Sequence, residues 1–260
     1  MNDRLNRCLE DYTAETRCSA SPEFTFGVLD RLGLADRYLL LDSVLGPVYV
    51  AWNPKGVSAV RQTEGADEFE QWFRRRFNRR AFPSDQEPAL IGQIRVALGG
   101  QRVELPVDLR ECTPFESAVL RKAGEIPPGH ARPYAWIARE IGTPRAVRAV
   151  GSALANNPVP LVIPCHRVVR SDWSTGEYVF GSDAKRELIE HEGLHIDVAA
   201  RLARQGVRYI GDRLTGEFCL PACGNIWEQV PPSARVELHS AEEAQACGLH
   251  ACGTCKPIAA

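Results

Sequence analysis

The sequence predicts an α+β protein built from three consecutive parts. Short apolar runs broken by turn residues come first, helical patterns follow from Thr113, and a cysteine-rich segment closes the chain. Strand patterns followed by helix patterns are typical of the α+β class. A chain of 260 residues is long enough for two packed units, or for one large unit with a small appendage.

Composition and charge are those of an ordinary globular protein. Apolar residues make up 44% of the chain and charged residues 25%, which argues against long disordered stretches. No run approaches the roughly eighteen apolar residues of a membrane span, and the acidic N-terminus does not match a signal peptide. We therefore expect a cytoplasmic protein without a membrane contact. The net charge of −2 does not by itself indicate a nucleic-acid binder.

Strand patterns dominate residues 38–63. Apolar runs there are broken by the turns "GP" and "NPKG", which predicts three short strands in a meander. Residues 66–80 predict an amphipathic helix, because aromatic residues recur at helical spacing. Its apolar face carries Phe69, Trp72, Phe73 and Phe77, and its outer face carries Arg74, Arg75, Arg79 and Arg80. These arginines can contact phosphates or simply face solvent. Residues 91–109 predict a further helix and a strand.

Helical segments with clear boundaries follow Thr113. Thr113 and Thr143 each precede a proline, which favours both as N-cap residues. Residues 133–142 and 145–157, joined by a "TP" turn, have the length of a helix-turn-helix. Such a pair either binds DNA or serves only as a packing unit.

The second helix of this pair carries an unusual number of small side chains. They are Ala146, Ala149, Gly151, Ser152, Ala153 and Ala155. A smooth helix flanked by Arg145 and Arg148 can enter the minor groove, which is narrower than the major groove. The alternative is that the same small residues pack tightly against the core.

The stretch "LVIPCHRVV" leaves three interpretations for Cys165: a packing residue, a metal ligand or a nucleophile. A metal site lacks a partner, because no second cysteine lies at the usual spacing of two to four residues. A buried packing thiol remains possible from these residues alone. The adjacent His166 and Arg167 favour a nucleophile, because a thiol near a histidine that a carboxylate orients can be deprotonated.

A longer stretch resembles a known family. The sequence "RAVGSALANNPVPLVIPCHRVV", with "PYAWIA" before it and "HEG" after it, resembles the O6-alkylguanine-DNA alkyltransferases, also called methylated-DNA–protein-cysteine methyltransferases. The resemblance runs from about Arg37 to Leu194. It implies a ribonuclease-H-like α/β domain at residues 36–111 and a helix-turn-helix catalytic domain at residues 112–197.

The resemblance also implies roles for five residues of the catalytic centre. Cys165 accepts the alkyl group from O6-alkylguanine, and His166 draws off the thiol proton through a bound water. Glu192 holds the imidazole, and Asn157 braces the turn that presents the thiol. Tyr134 presses on the phosphate of the target nucleotide. The thioether formed is stable, so each molecule acts once and needs no organic cofactor.

The implied partner is double-stranded DNA, bound through its minor groove by a monomer. The target base must leave the duplex, at a cost of roughly a few kcal/mol. Arg148 would fill the gap in the stack. Further implied DNA contacts are Tyr134, Arg145, Ala149, Gly151 and Ser152, and the implied guanine pocket comprises Val168, Tyr178 and Val179. Val179 stands where many relatives have a serine, so a backbone N–H would have to approach the O6 oxygen.

Cysteines dominate the end of the chain. Nine cysteines in a chain without an export signal argue against a disulfide framework. Two close pairs separated by a loop predict a structural zinc site in a domain at residues 207–260. The expected ligands are Cys219, Cys223, Cys252 and Cys255. His239, Cys247 and His250 are nearby alternatives.

This tail resembles the zinc module of the adaptive-response protein Ada. In that module the first zinc-bound cysteine takes a methyl group from a DNA phosphotriester, and Cys219 is the matching residue. Two alternatives stay open here: a structural or partner-binding zinc module, or a site that repairs or senses phosphotriesters. The second would make the protein an alkylation-sensing regulator. The N-terminal extension at residues 1–35, with Cys8 and Cys18, matches no known pattern.

Overall fold

A four-stranded sheet forms the first part of the chain. In the computed structural model, which describes residues 21–257, β1 (Ala35–Ser43), β2 (Gly46–Asn53) and β3 (Gly56–Arg61) pair in antiparallel register. This confirms the predicted meander. A fourth strand, β4 (Arg80–Pro83), pairs in parallel with β1 and gives the order β3-β2-β1-β4. With only four residues, β4 was too short to give a strand pattern in the sequence. Cys8 and Cys18 lie outside the described residues.

Three helices accompany this sheet. They are α1 (Pro22–Arg31), α2 (Ala66–Phe77) and α3 (Ala89–Leu98). Helix α2 buries Phe69, Phe73 and Phe77, as its aromatic spacing predicted. The strand predicted before Leu109 is wrong, because residues 101–109 touch β3 only through the bridge between Val57 and Val107. Pro106 has no N–H to donate, so it cannot continue a ladder.

The prediction that Arg79 lies on an outer helix face is also wrong. Helix α2 ends at Phe77, and Asn78 takes a left-handed conformation with φ of 51°, which turns the chain inward. The guanidinium of Arg79 is buried and lies 2.9 Å from Asp36 Oδ1 and 3.2 Å from Asp108 Oδ2. Arg74, Arg75 and Arg80 are exposed, as expected.

Arg79 belongs to a buried polar network that ties the strands together. Asn53 Nδ2 donates to Asp36 Oδ2 at 2.7 Å and to Asp108 Oδ2 at 2.8 Å, and Ser58 Oγ donates to Asp36 at 2.6 Å. Burial alone would raise the pKa of Asp108, but hydrogen bonds from Arg110 and Asn53 outweigh burial and hold that pKa at about 2. The network therefore joins β1, β2 and β3 to the segment after Pro106.

Helices dominate the second part of the chain. They are α4 (Pro114–Gly124), α5 (Tyr134–Glu140), α6 (Val147–Ala155), α7 (Ser182–His191) and α8 (Ile196–Arg204), with the short parallel strands β5 (Arg132–Pro133) and β6 (Val168–Val169). Thr113 caps α4 as predicted, and Glu116 completes a capping box. Thr143 does not cap α6, because that helix begins at Val147. Residues 143–146 form a separate turn, closed by Ala146 N–H donating to Thr143 O at 2.9 Å.

The third part is a small sheet with two short helices. It contains β7 (Tyr209–Asp212), β8 (Glu217–Cys219), α9 (Gly224–Gln229), β9 (Arg235–Leu238), α10 (Ala241–Ala246) and β10 (His250–Ala251). The strand order is β10-β8-β7-β9. Its buried residues Cys219, Leu220 and Ile226 share one apolar core with the helices of the second part. No helix within residues 21–257 is long and apolar enough to cross a membrane.

Replacing Arg79 with methionine removes the cation shared by the buried carboxyl groups of Asp36 and Asp108. We expect the free energy of unfolding to fall by about 3–5 kcal/mol, the range found when one partner of a buried ion pair is removed. Urea unfolding at neutral pH measures the loss. Arg75→Ala, on the exposed face of α2, is the control and should change stability by less than about 0.5 kcal/mol. An equally small change for Arg79→Met would show that the network contributes little.

Candidate active site

Cys165 begins a single turn of 3₁₀ helix, Cys165–Arg167, directly after Pro164. The turn is held in place by Asn157, which lies two residues beyond the end of α6. Asn157 Nδ2 donates to Ile163 O at 3.0 Å and to Cys165 Sγ at 3.1 Å, and its Oδ1 accepts from Val159 N at 3.0 Å. The amide thus fixes both the backbone before the thiol and the sulfur itself.

The His166 imidazole points at a carboxylate from a distant part of the chain. His166 Nε2 lies 2.9 Å from Glu192 Oε1, and both side chains are 3% exposed. Burial lowers the pKa of His166, although Glu192 opposes this effect, so the resting imidazole is neutral. With Nε2 facing the carboxylate, Nε2 carries the proton, and Nδ1 is the free acceptor. In the described part of the chain, no hydrogen-bond partner reaches the buried Nδ1.

Arg167 is the second partner of Glu192, a contact that the sequence did not predict. Its Nε donates to Glu192 Oε2 at 2.8 Å, and its Nη2 donates to Oε1 at 2.7 Å. Burial alone would raise the pKa of Glu192, but the hydrogen bonds from His166 and Arg167 hold it at about 2. Two guanidinium bonds keep the carboxylate charged and in one orientation. The role of Arg167 could have been suspected from its position between two apolar runs, because an arginine buried there requires an anionic partner.

A cavity of about 540 Å³ opens in front of the thiol. Its lining includes Cys165, Tyr134, Arg148, Gly151, Ser152 and Tyr178, together with Arg170 and Glu177, which the sequence analysis did not select. Cys165 is only 4% exposed, and burial raises the pKa of its thiol. The resting sulfur is therefore a buried thiol that borders the cavity.

Other residues in the expected set do not line this cavity. Asn157, His166 and Glu192 are absent from the lining: Asn157 contacts the thiol, and His166 contacts Glu192. Val168 is fully buried, and Val179 is partly buried; neither belongs to the cavity lining. Arg145, which precedes α6, and Ala149, which lies on α6, are exposed but do not line the cavity. Ala153 is buried, so the packing alternative holds for that position of the smooth helix.

Lys185 is a buried cation close to the thiol that the sequence did not reveal. Its Nζ donates to Val168 O at 2.6 Å and lies 5.8 Å from the centre of the Tyr134 ring. Burial lowers the pKa of Lys185 to about 8, against the opposing influence of the nearby Cys165 sulfur. This ammonium fixes the strand after the turn Cys165–Arg167, which we call the catalytic turn because it carries the candidate nucleophile, and adds positive potential near Cys165.

Comparison with known proteins decides the family. Residues 114–194 match the model of the 6-O-methylguanine DNA methyltransferase DNA-binding domain. The methylated-DNA–protein-cysteine methyltransferase of Methanosarcina barkeri is 35% identical over 159 residues, which cover 60% of this chain and 96% of that protein. The protein belongs to the methylated-DNA–protein-cysteine methyltransferase family. This confirms the resemblance read from residues 37–194.

Two further relatives describe how far the likeness extends. The O6-methylguanine methyltransferase of Mycobacterium tuberculosis superposes with a TM-score of 0.50 at 30% identity, over 60% of this chain and 92% of that one. The bifunctional transcriptional activator/DNA repair enzyme Ada of Escherichia coli is 34% identical over 165 residues, which cover 61% of this chain and 46% of Ada. The family fold therefore accounts for rather more than half of this methyltransferase chain.

The four expected zinc ligands meet in the third part of the chain. The sulfurs of Cys219, Cys223, Cys252 and Cys255 lie within 4.8 Å of one another, and all four residues are buried. A tetrahedral zinc with Zn–S bonds of about 2.3 Å needs sulfurs about 3.8 Å apart, which this cluster can supply. Leu220 N–H donates to Cys255 Sγ at 3.3 Å, a contact typical of a metal-bound thiolate. We call these four residues the cysteine cluster.

The alternative ligands lie elsewhere. Cys247 is exposed, His250 pairs with Glu217 at 3.6 Å, and His239 Nδ1 lies 3.0 Å from Gly206 O. Three of the nine cysteines of the methyltransferase are thereby left outside the cluster within residues 21–257: Cys112, Cys165 and Cys247.

Glu192→Gln should destabilise the protein, because it leaves Arg167 buried beside a neutral amide. The pKa of about 2, against the ordinary 4.5, corresponds to stability on the order of 3 kcal/mol. Because the folded-state pKa is the lower one, this stability is fully present above pH 4.5 and is lost as pH falls towards 2. Unfolding measured at pH 7 and pH 3 should show the gap between parent and variant narrowing in acid. Glu190→Gln, an exposed neighbour, should unfold like the parent at both pH values.

Proposed function

We propose that Cys165 is the acceptor in an irreversible alkyl transfer from O6-alkylguanine in double-stranded DNA. The family's reaction moves an alkyl group from methylated DNA to a cysteine of the protein itself. Among the cysteines in residues 21–257, Cys165 lines the cavity of about 540 Å³ together with two tyrosines and two arginines. The single observation that carries the proposal is this placement of the Cys165 thiol at the cavity.

The thiol is activated only when a substrate is present. Burial raises the pKa of Cys165 and lowers the pKa of His166, so the resting pair is a neutral thiol beside a neutral imidazole. Nδ1 of His166 can take the thiol proton through a bound water. The imidazolium that results is stabilised by Glu192, which stays ionised because Arg167 holds it.

The bond changes balance within the cavity. The sulfur of Cys165 attacks the alkyl carbon in line, an S–C bond forms, and the C–O6 bond breaks with its electron pair passing to guanine. A proton returned to the purine then gives neutral guanine. The His166 imidazolium is the source of that proton, so the imidazole ends neutral. Burial raises the pKa of Tyr178, so its hydroxyl stays protonated and can donate a hydrogen bond to the purine. The thioether is stable, and each molecule therefore reacts once without an organic cofactor.

DNA is the partner, and the exposed side of α6 is its proposed contact through the minor groove. Ala149 and Ser152 are exposed there, and Arg148 lines the rim of the cavity. Small side chains allow close approach of the helix to a narrow groove. A flipped nucleotide enters the cavity, Arg148 fills the space it leaves, and Tyr134 contacts its phosphate. All these groups come from one chain, which supports action as a monomer.

The guanine pocket is proposed to use backbone groups as well as Tyr178. Val168 is buried beside the catalytic turn, and its carbonyl is occupied by Lys185. Val179 offers no hydroxyl to the O6 oxygen, so any donor at that position is its backbone N–H. The side chains of Val168 and Val179 act by shaping the wall of the pocket.

The cysteine cluster is proposed to hold a structural zinc ion. Zinc would cross-link the two cysteine pairs and stabilise a part of the chain that has a small core of its own. Residues 214–257 contain two Lys or Arg residues, and both have partners: Arg235 donates to Val230 O at 2.6 Å, and Lys256 lies 3.4 Å from Glu140. The cavity beside Cys219 is lined by Asp212 and Glu217. Phosphate binding requires free cations, so these surroundings favour a structural site over a phosphotriester acceptor.

Cys165→Ala should abolish alkyl transfer and leave DNA binding intact. An oligonucleotide carrying labelled O6-methylguanine is incubated with the protein, and the labelled peptide is mapped by mass spectrometry. We expect one label per molecule on Cys165 in the parent and none in the variant. Cys112→Ala, outside the cavity, should transfer at the parent rate. Label on any other cysteine of the parent chain would refute the assignment.

Cys252→Ser should remove the metal and lower thermal stability. We expect about one zinc per chain in the parent and close to none in the variant, with Tm lower by roughly 10 °C if several kcal/mol are lost. Elemental analysis and thermal unfolding supply the two measurements. Cys247→Ser is the control and should keep both values. Full metal content in Cys252→Ser would exclude this residue as a ligand.

A further inference from the structure

The third part of the chain is bonded to the segment that leads into Tyr134. Ala131 N–H donates to Ala222 O at 3.1 Å, and Arg132 Nη2 donates to Thr254 O at 3.0 Å. Ala222 immediately precedes Cys223 in the sequence, and Thr254 immediately precedes Cys255. Both acceptors are thus backbone carbonyls next to cysteines of the cluster.

A third bond of the same kind follows on α5. Trp136 Nε1 donates to Lys256 O at 3.3 Å, and Lys256 immediately follows Cys255. The Arg132 guanidinium lies 5.5 Å from the Trp136 ring, so the two donors also contact each other. Residues 131–136 therefore bond to loops from both cysteine pairs.

The other side of this segment faces the active site. Strand β5 pairs in parallel with β6, with Arg132 opposite Val168 and Pro133 opposite Val169. Strand β6 directly follows the catalytic turn Cys165–Arg167. Tyr134 begins α5 and lines the cavity in front of the thiol. The segment is therefore held between the cysteine cluster and the catalytic turn.

The second and third parts of the chain approach each other so closely at Gly224 that no side chain fits there. A Cβ built on Gly224 would lie 2.8 Å from Gly129 O and 3.2 Å from a ring carbon of His130. The His130 ring also lies 3.3 Å from Asn225 Oδ1. Gly224 is the residue after Cys223, so the close approach occurs directly beside a cluster ligand.

We propose that the metal-bound cysteine cluster positions residues 131–136, so that the metal state of the cluster sets DNA affinity and the rate of alkyl transfer at Cys165. The four sulfurs fix the loops that present Ala222 O, Thr254 O and Lys256 O. Without the metal, those carbonyls lose their fixed positions. The segment that leads into Tyr134 then loses the hydrogen bonds that hold it against the third part of the chain. Arg132 acts here as a positioning residue. The inference rests on the proposed roles of Cys165 and of the cluster.

The test uses the full chain with zinc bound and after removal of zinc by a chelator. Hydrogen exchange of residues 131–136 reports the position of the segment independently of chemistry. We expect these amides to lose protection when zinc is removed, while amides of strands β1 and β2 keep theirs. DNA affinity and the single-turnover transfer rate should each fall about tenfold, an ordinary size for coupling between sites. Unchanged protection of residues 131–136 would overturn the proposal.

Gly224→Ala disturbs the contact with Gly129 and His130 while all four cysteines of the cluster remain. We expect it to keep one zinc per chain, yet to show the same loss of protection and about a tenfold slower transfer. Gly92→Ala is the matched control, because no atom lies within 4 Å of a Cβ built at that exposed helical position. Trp136→Phe, which removes only the N–H donor, should give a smaller change in the same direction and serves if Gly224→Ala fails to fold.

The outcomes distinguish this inference from the function on which it rests. A zinc-loaded Gly224→Ala protein that keeps the parent's protection and transfer rate would refute the positioning role alone, since Cys165 would still be labelled. A parent chain that transfers no label to Cys165, or that binds no zinc, would instead refute the proposed function.

Discussion

The ionised carboxylate of Glu192 is the charge on which the active site depends. A buried carboxylate is tolerated only when it is paired and hydrogen-bonded. Arg167 supplies two of its hydrogen bonds and His166 the third, with distances of 2.7–2.9 Å. The same arginine donates to Ile126 O at 2.6 Å and to Gly100 O at 3.3 Å. One ion pair thus orients the imidazole and also joins the catalytic turn to the loop after α3 and to the segment after α4.

This arrangement explains how a thiol can be both stable at rest and reactive with substrate. The thiolate is the reactive form of cysteine towards alkyl donors and oxidants. Burial keeps Cys165 protonated, and burial also keeps His166 neutral despite its carboxylate partner. In the proposed reaction, deprotonation depends on a substrate that fills the cavity and completes the proton path. Because the acceptor is consumed in one reaction, premature alkylation or oxidation would waste the whole molecule.

The third part of the chain packs against the part that carries Cys165. It shares an apolar core with the catalytic helices, and its hydrogen bonds end on the segment before Tyr134. Arg235 and Lys256, the two Lys or Arg residues of residues 214–257, are bound to a carbonyl and to Glu140, and acidic residues line the cavity beside Cys219. These observations favour a part that supports the methyltransferase site over one that approaches DNA phosphates itself.

Features that depend on neighbouring residues could be predicted from local sequence patterns. The "PCHR" and "HEG" motifs identified the family, the aromatic spacing predicted α2, Thr113 before a proline predicted the cap of α4, and the cysteine spacing predicted the cluster. Each of these signals lies within a few residues, where helix periodicity, capping and ligand spacing act. The strand predicted before Leu109 failed because Pro106 interrupts its hydrogen bonding, which the apolar pattern does not reveal.

The pairing of buried charges could not be predicted from such patterns and became known from the folded chain. Arg167 and Glu192 are 25 residues apart, Arg79 and Asp108 are 29 apart, and Arg132 reaches Thr254 across 122 residues. No periodic pattern connects such positions, because each buried charge pairs with a group that only the folded chain brings close. For the same reason the sequence revealed neither the buried Lys185 beside the thiol nor the contact of the cysteine cluster with the strand that leads to Tyr134.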